Sequence, residues 1–512
     1  MKIIKSLKTF YINKFKFFIQ KGDNMNTNEI SKNGSNTIKF IIISILIIAV
    51  ISLIGVAYAR YITRLNGQVT ADIANYNFNV TVGNNTNLNI NLANTRLAND
   101  TARVQSGYVA PDTKGAFNLN INATGSNTTL IYNLDLDLTN VPENLKFYSD
   151  SNMKNEIMVQ DNKIKIEDCI GLNDTKTKTI TLYWQWPFET GENDYEISLN
   201  DAKDSRWLGH DIEIAVNATS RQVLEKVTYL ADSVQIGDYV NYDATSGDGA
   251  GLTITPTSDL TGSNTTTTFN SSDITGWRVY DVDSVTKTVT LIAEEPTVQT
   301  LNLVTAIGWI NAENVLNLVG EIYGHGIGAY EGRSIQEKDI LKYSPSYNPA
   351  NYKNNEHQTN GINDGYYYYT GASNRIETET YTSGTFILDD NTIVEATTKN
   401  PVTMKQTHYG FLAKSVIKDA TVRSMLVLET GNTENYKRNY WLAKRVTYLT
   451  PTGCKYYVKV INNGAIDQYL TLYNSSYSNQ NPSWAVMPMV TLQSNIQVTG
   501  KDSNNVWQLN VE

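Results

Sequence analysis

Between residues 76 and 216 apolar and polar positions alternate with a period of two. Tyr76, Phe78, Val80 and Val82 fall on one side of the chain, and Asn75, Asn77, Asn79 and Thr81 on the other. That is the pattern of a strand with one buried face. It recurs at Leu88-Ile90-Leu92, Phe117-Leu119-Ile121, Leu130-Tyr132-Leu134-Leu136-Leu138, Ile180-Leu182-Trp184-Trp186 and Ile212-Ile214-Val216, with shorter versions at Leu145-Phe147 and Ile164-Ile166. Asn, Gly, Asp and Ser separate these runs, and no helical period lies between them. The pattern predicts an antiparallel β-sandwich of jelly-roll type over residues 60–220, two sheets packed face to face.

After residue 220 the texture changes. Residues 221–234 read as a linker, and residues 235–512 as an α+β module. Strands are predicted at Trp277–Tyr280 and Thr288–Ala293, after a low-complexity loop at Gly262–Ser272. Val315, Leu318, Val319 and Ile322 then form one apolar stripe at helical spacing, ending near Gly324. Ser334-Ile335-Gln336-Glu337 has the form of a capping box and predicts a second helix start. Residues 343–375 are rich in Asn, Gly and Tyr, without period. They are a candidate ligand-contact loop through Tyr343, Tyr347, Tyr352, Tyr366, Tyr367, Tyr368 and Tyr369, because tyrosine offers contact area at low entropic cost. Trp441 and Trp484 are candidate aromatic contacts, although each is flanked by apolar residues of a predicted strand, which favours the core.

The N-terminus sets location. Phe40–Tyr58 is nineteen residues without a charge, about 28 Å as a helix, enough to cross the apolar core of a bilayer. Residues 1–39 form a basic leader with eight lysines, so the positive side is expected to stay in the cytoplasm. Met25 is a natural second start. Ala57 and Ala59 form an A-x-A cleavage signature closing the segment 40–59. The chain is therefore expected to be exported, held by the membrane through residues 40–58 or released after cleavage near Ala59. The whole chain carries −9 and its first 59 residues +6, which leaves −15 outside. That acidity argues against nucleic acid as a partner. Cys169 and Cys454 are too far apart in sequence to suggest a bridge. Cys454, in Pro451–Lys455, reads as an unpaired cysteine of a surface turn, and Cys169 as a small apolar residue of the first core.

Two resemblances add to this. Ala57-Tyr58-Ala59-Arg60-Tyr61, Gly67-Gln68-Val69-Thr70-Ala71-Asp72-Ile73-Ala74, the strand Tyr76–Val82, Val109-Ala110-Pro111 and Tyr183-Trp184-Gln185-Trp186-Pro187-Phe188 resemble the TasA/camelysin group of secreted Gram-positive surface proteins. The resemblance implies a jelly roll, processing by a signal peptidase and, for some members, matrix fibres assembled by strand donation; Arg60–Asp72 is the donor candidate here, but its partial alternation favours a short stalk or a first strand of its own sandwich. Asn439–Arg445, Lys455–Ile461, Tyr469–Tyr473 and Trp484–Leu492 are similar to an uncharacterised surface module, and more distantly to the C-type-lectin and formylglycine-generating fold.

Enzymatic motifs are sparse. The chain has no H-E-x-x-H, G-x-S-x-G or P-loop, and its four histidines are scattered. The oxidation chemistry of the distant fold relatives needs two thiols where this module has Cys454 alone. Asp238, Asp243 and Asp248 could hold calcium, without EF-hand spacing; no other cofactor is expected. The C-terminal Trp507–Glu512 carries no sortase-type motif, which points to attachment through the N-terminal segment or to self-assembly. The expectation is a non-enzymatic surface or matrix protein with a structural or adhesive role, its partners glycans, surface proteins or further copies of itself. The alternatives are a camelysin-like protease or other extracellular hydrolase, and a purely structural fibre subunit.

Overall fold

Every alternating segment of the first half forms a strand, because each has one face to bury. The strands are β1 (Asn79–Val82), β2 (Asn89–Asn91), β3 (Lys114–Asn122), β4 (Thr129–Asp137), β5 (Lys146–Tyr148), β6 (Lys163–Ile170), β7 (Thr177–Gln185) and β8 (Glu213–Val223). They come from a computed structural model, which describes residues 62–64, 76–98, 100, 104–188, 190–191, 194–343, 366–367, 378–405, 411–412, 417–426, 439–462, 465–475 and 482–511. One antiparallel sheet runs β1-β3-β7-β5, and β2-β8-β4-β6 lie in the other. Their inward rows meet in one core that includes Leu119, Leu134, Leu182, Trp184 and Ile214, all fully buried. The chain is mainly β, built from several antiparallel sheets in a sandwich-like arrangement.

One element of this half runs against expectation. Helix α1 (Asp194–Asp204) connects β7 to β8. Its sequence lacks an apolar stripe, and Tyr195 and Leu199 stay exposed. Its charges agree with the helix dipole, Asp194 and Glu196 in the first turn and Lys203 in the last.

The second half builds a separate, larger core between two sheets and helix α2 (Thr305–Glu321). The predicted stripe was only the C-terminal half of that helix; Ala306, Trp309 and Ala312 extend its buried face backwards. Gly320 lets the helix lie against the backbone of Arg333 and Ser334, where a methyl group would meet the Arg333 carbonyl carbon at 2.0 Å. The seven-stranded sheet runs 329–334, 488–492, 288–293, 277–283, 239–240, 506–510, 497–501, and the five-stranded sheet 301–302, 483–486, 440–450, 453–462, 465–474. Tyr239–Val240 pairs in parallel with Val506–Trp507, so this half begins and ends side by side.

The second predicted helix starts later than its capping box implied. Ser334 closes the strand Ala329–Ser334, and α3 (Glu337–Leu341) is capped by Gln336 with Asp339. Ile335, fully buried, holds the chain extended at the position where the helix was expected. Residues 221–234 are structured: Arg221–Val223 complete β8 and Leu230–Ser233 form a helical turn.

Arg64–Glu512 forms one compact unit, and Met1–Thr63 divides off as another. From the latter only Ile62 and Thr63 are described, in the short strand Ile62–Arg64. Phe40–Tyr58, Met25, Ala57 and Ala59 lie outside the described residues, as does the rest of the donor segment. Among the described residues no helix is long and apolar enough to cross a membrane.

Candidate functional site

The predicted aromatic contacts do not assemble into a ligand platform. Trp441 is fully buried and donates its indole N–H to the Leu301 carbonyl at 2.9 Å. Trp484 packs edge-on against it, centroids 6.4 Å apart, and is half-buried. Trp441 is therefore a core residue, which corrects its candidacy for solvent-facing contact. Tyr343 is likewise engaged: its ring meets Tyr280 edge to face at 5.2 Å, and its hydroxyl donates to the Tyr280 carbonyl. Burial pushes its phenol well above the usual range. Tyr366–Tyr367 pairs as a short strand with Phe411–Leu412. Tyr347, Tyr352, Tyr368 and Tyr369 lie outside the described residues.

The cysteines and the acidic residues resolve differently from one another. Cys454 is the second residue of the strand Gly453–Asn462 and fully buried, not part of a surface turn. Burial pushes its thiol up to about 12. Cys169 is buried, but outside the first core to which it was assigned: it packs against Ile131 and Tyr229 on the outer side of the sandwich. Two of the three aspartates proposed for calcium have other tasks. Asp238 accepts from the Trp507 indole at 2.9 Å and from Lys501 at 3.3 Å, while Asp243 caps Thr245 at 2.8 Å. No group of three His, Cys, Asp or Glu able to hold a metal occurs among the described residues.

What the geometry does bring together is a junction. Strands Trp277–Asp283 and Thr288–Ala293 form a hairpin whose tip, residues 284–287, reaches the open end of the sandwich. Asp283 shapes the tip by accepting from the amides of Val285 and Thr286, each at 2.8 Å, and Lys287 takes the left-handed conformation at φ 59°. Val285 packs against the sandwich core. Lys287, 7% exposed, pairs with Asp232 and lies 3.9 Å from Asp168 of β6. Asp168 also receives Lys178 from β7 and, at 3.4 Å, the Tyr132 hydroxyl from β4. Burial and the Asp168 charge push the Tyr132 phenol far up.

The connecting segment seals the same junction. Tyr229 is buried and donates to Glu167 at 2.9 Å, while desolvation raises the Glu167 carboxyl. Leu230 donates its amide to Ile496 at 2.8 Å, and Val498 donates to Thr228 at 3.0 Å, so the connection is stitched into the second sheet. Beside the plug lies a crevice of about 600 Å³, lined by Asp174, Lys178, Lys226, Asp232 and Lys287 among others. Farther along, Lys405 donates to both carboxylate oxygens of Asp194 on α1 at 2.8 and 2.9 Å.

Sequence reasoning missed this junction. Only the flanking strands were predicted, with no role for Val285-Thr286-Lys287; the available signal was an apolar residue at a turn tip, where polar residues are usual. Asp168 also interrupts the inward apolar row Ile164-Ile166. Comparison with known proteins adds nothing: the chain matches no family model, no curated protein and no solved structure.

Proposed function

We propose that this chain is an exported, non-enzymatic surface or matrix protein whose two strand-rich halves act as one mechanical body. The observation that carries the reading is the hairpin plug. A protein that only tethered two independent binding modules would join them by an exposed polar linker. Here the connection buries Tyr229, and a tip from the second half packs half-buried Val285 against the first and buries Lys287 near Asp168. A buried, charge-paired junction resists hinge motion, which suits a part that transmits force or holds a fixed spacing. The uncharged segment Phe40–Tyr58, the acidic remainder and the resemblance to the TasA/camelysin group support export.

A deletion strain tests the role. Loss of the chain is expected to weaken cohesion or surface attachment of the producing cells, restored by the native gene. Restoration should be poorer with a Val285→Asp gene that is expressed to the same level. Unchanged cohesion and attachment in the deletion strain would contradict the proposal.

A further inference from the structure

The two outer faces of the sandwich differ in chemistry. On the β2-β8-β4-β6 sheet, outward residues of neighbouring strands are charged and complementary, Asp135 opposite Lys165 and Asp137 opposite Lys163. This is an ordinary way to keep a sheet face wet. On the β1-β3-β7-β5 sheet the first three outward rows hold no charge, and lysines stand only in the last row, where Lys114 and Lys146 flank Gln185 and Lys146 pairs with Glu156. Asn79, Asn122 and Thr177 form one row, Thr81, Asn120 and Thr179 the next, and Asn118 with Thr181 a third. All are exposed or half-buried. The following row adds Tyr183 opposite Ala116, a half-buried ring at the end of the array. The neutrality continues beyond the sheet, since no charged residue occurs from Ile73 to Thr95.

Asparagine is unfavourable in strands, so its repetition at outward positions is not explained by strand propensity. Solubility does not explain it either, because the sister sheet meets that need with ion pairs. The polar groups are also oriented. Thr179 and Thr181 each donate a hydroxyl hydrogen to the side-chain oxygen of Asn120 and Asn118, both at 2.8 Å, and Asn120 donates its amide to the Gly83 carbonyl at 2.7 Å. The array thus presents threonine lone pairs as acceptors and the Asn118 amide hydrogens as donors. Rows repeat at ~7 Å along the strands and ~5 Å across them.

We infer that this uncharged Asn/Thr face binds a neutral polysaccharide. Sugar hydroxyls both donate and accept, so they complement a surface offering both without charge, and the Tyr183 ring provides an apolar patch for a sugar's C–H face. Within the three Asn/Thr rows an anionic polymer finds no cation, the nearest being Lys114 and Lys146 two rows beyond Asn118 and Thr181. A cationic one finds no carboxylate. The inference narrows the surface role proposed above, and its test uses purified protein rather than cells, so the two fail separately.

The test is retention of the full-length chain, purified in mild detergent, on cellulose, chitin and β-1,3-glucan particles, with heparin beads as the anionic comparison. The native chain should be retained by at least one neutral polymer and not by heparin. An Asn118→Lys, Thr179→Lys double variant should bind it about tenfold more weakly, while Asn133→Lys, Asn217→Lys on the opposite sheet should bind as the native chain does. Circular dichroism melting is run on each variant to confirm folding. Absence of retention on all three neutral polymers would overturn the inference, as would equal retention of the face variant. Sedimentation showing self-association that the face variant abolishes, without polysaccharide retention, would assign the face to a second copy and overturn it too.

Discussion

Asp339 and Arg333 form the best-defined ion pair of the second core, bidentate at 2.6 and 2.8 Å, with Asp339 also accepting the Gln336 amide at 2.8 Å. Burial opposes ionisation of Asp339, but the Arg333 charge and these hydrogen bonds outweigh it and hold the carboxyl below its usual range. A lowered carboxyl stabilises the fold above its unfolded pKa and loses that contribution as pH falls through the folded value. Asp339→Asn, which leaves a buried guanidinium without its counter-charge, should cost about 3–5 kcal/mol at neutral pH. The gap to the native chain in urea unfolding should shrink steadily below about pH 4. A gap that does not change with pH would show that the charge pair is not its source. At the junction, Lys287→Met should cost about 1–3 kcal/mol by leaving acceptors unmatched, read as a lower urea midpoint. Cys454, buried with a raised thiol, should resist a thiol reagent until the chain unfolds. Labelling at the native rate of an exposed thiol would refute its placement. At this scale sequence alone identified Cys169 as buried but put it on the wrong face of its strand, and it misplaced Cys454, because a cysteine one residue after a Gly turn looks the same whether its strand is covered or not.

Elements were legible where one period dominated. The eight strands of the sandwich each had a buried row long enough to read, down to three-residue β5. Elements governed by other forces were not. Helix α1 has charges in favour of the dipole but no apolar stripe, and in the first half of α2 Trp309 is the one large buried residue among small Ala306, Gly308 and Ala312. The capping signal at Ser334 was real chemistry at the wrong address, since burial of Ile335 moved the cap to Gln336 and Asp339. The hairpin tip was hard to read for a related reason: Asp168 lies more than a hundred residues away, and an apolar residue at a turn tip does not by itself name what it packs against. Val285→Asp puts an unpaired charge against the sandwich core. Calorimetry of that variant should resolve two unfolding transitions where the native chain gives one. A single transition at the native temperature would mean that the tip does not couple the halves.

Residues 64–512 read as two β-rich cores fused at a sealed junction, which we propose stands outside the cell. The broad class, mainly β with antiparallel sheets, could be read from alternation alone. The candidate site could not, because it arises from contacts between halves that looked autonomous in the linear pattern. Its function rests on location more than on any side chain, since force-bearing or glycan-binding roles both require the surface. The most direct test treats intact producing cells with a membrane-impermeant amine reagent, followed by peptide mapping of the recovered protein. The account predicts modification of exposed lysines such as Lys226, Lys399 and Lys405 before lysis. Lysines that react only after the cells are broken open would contradict it.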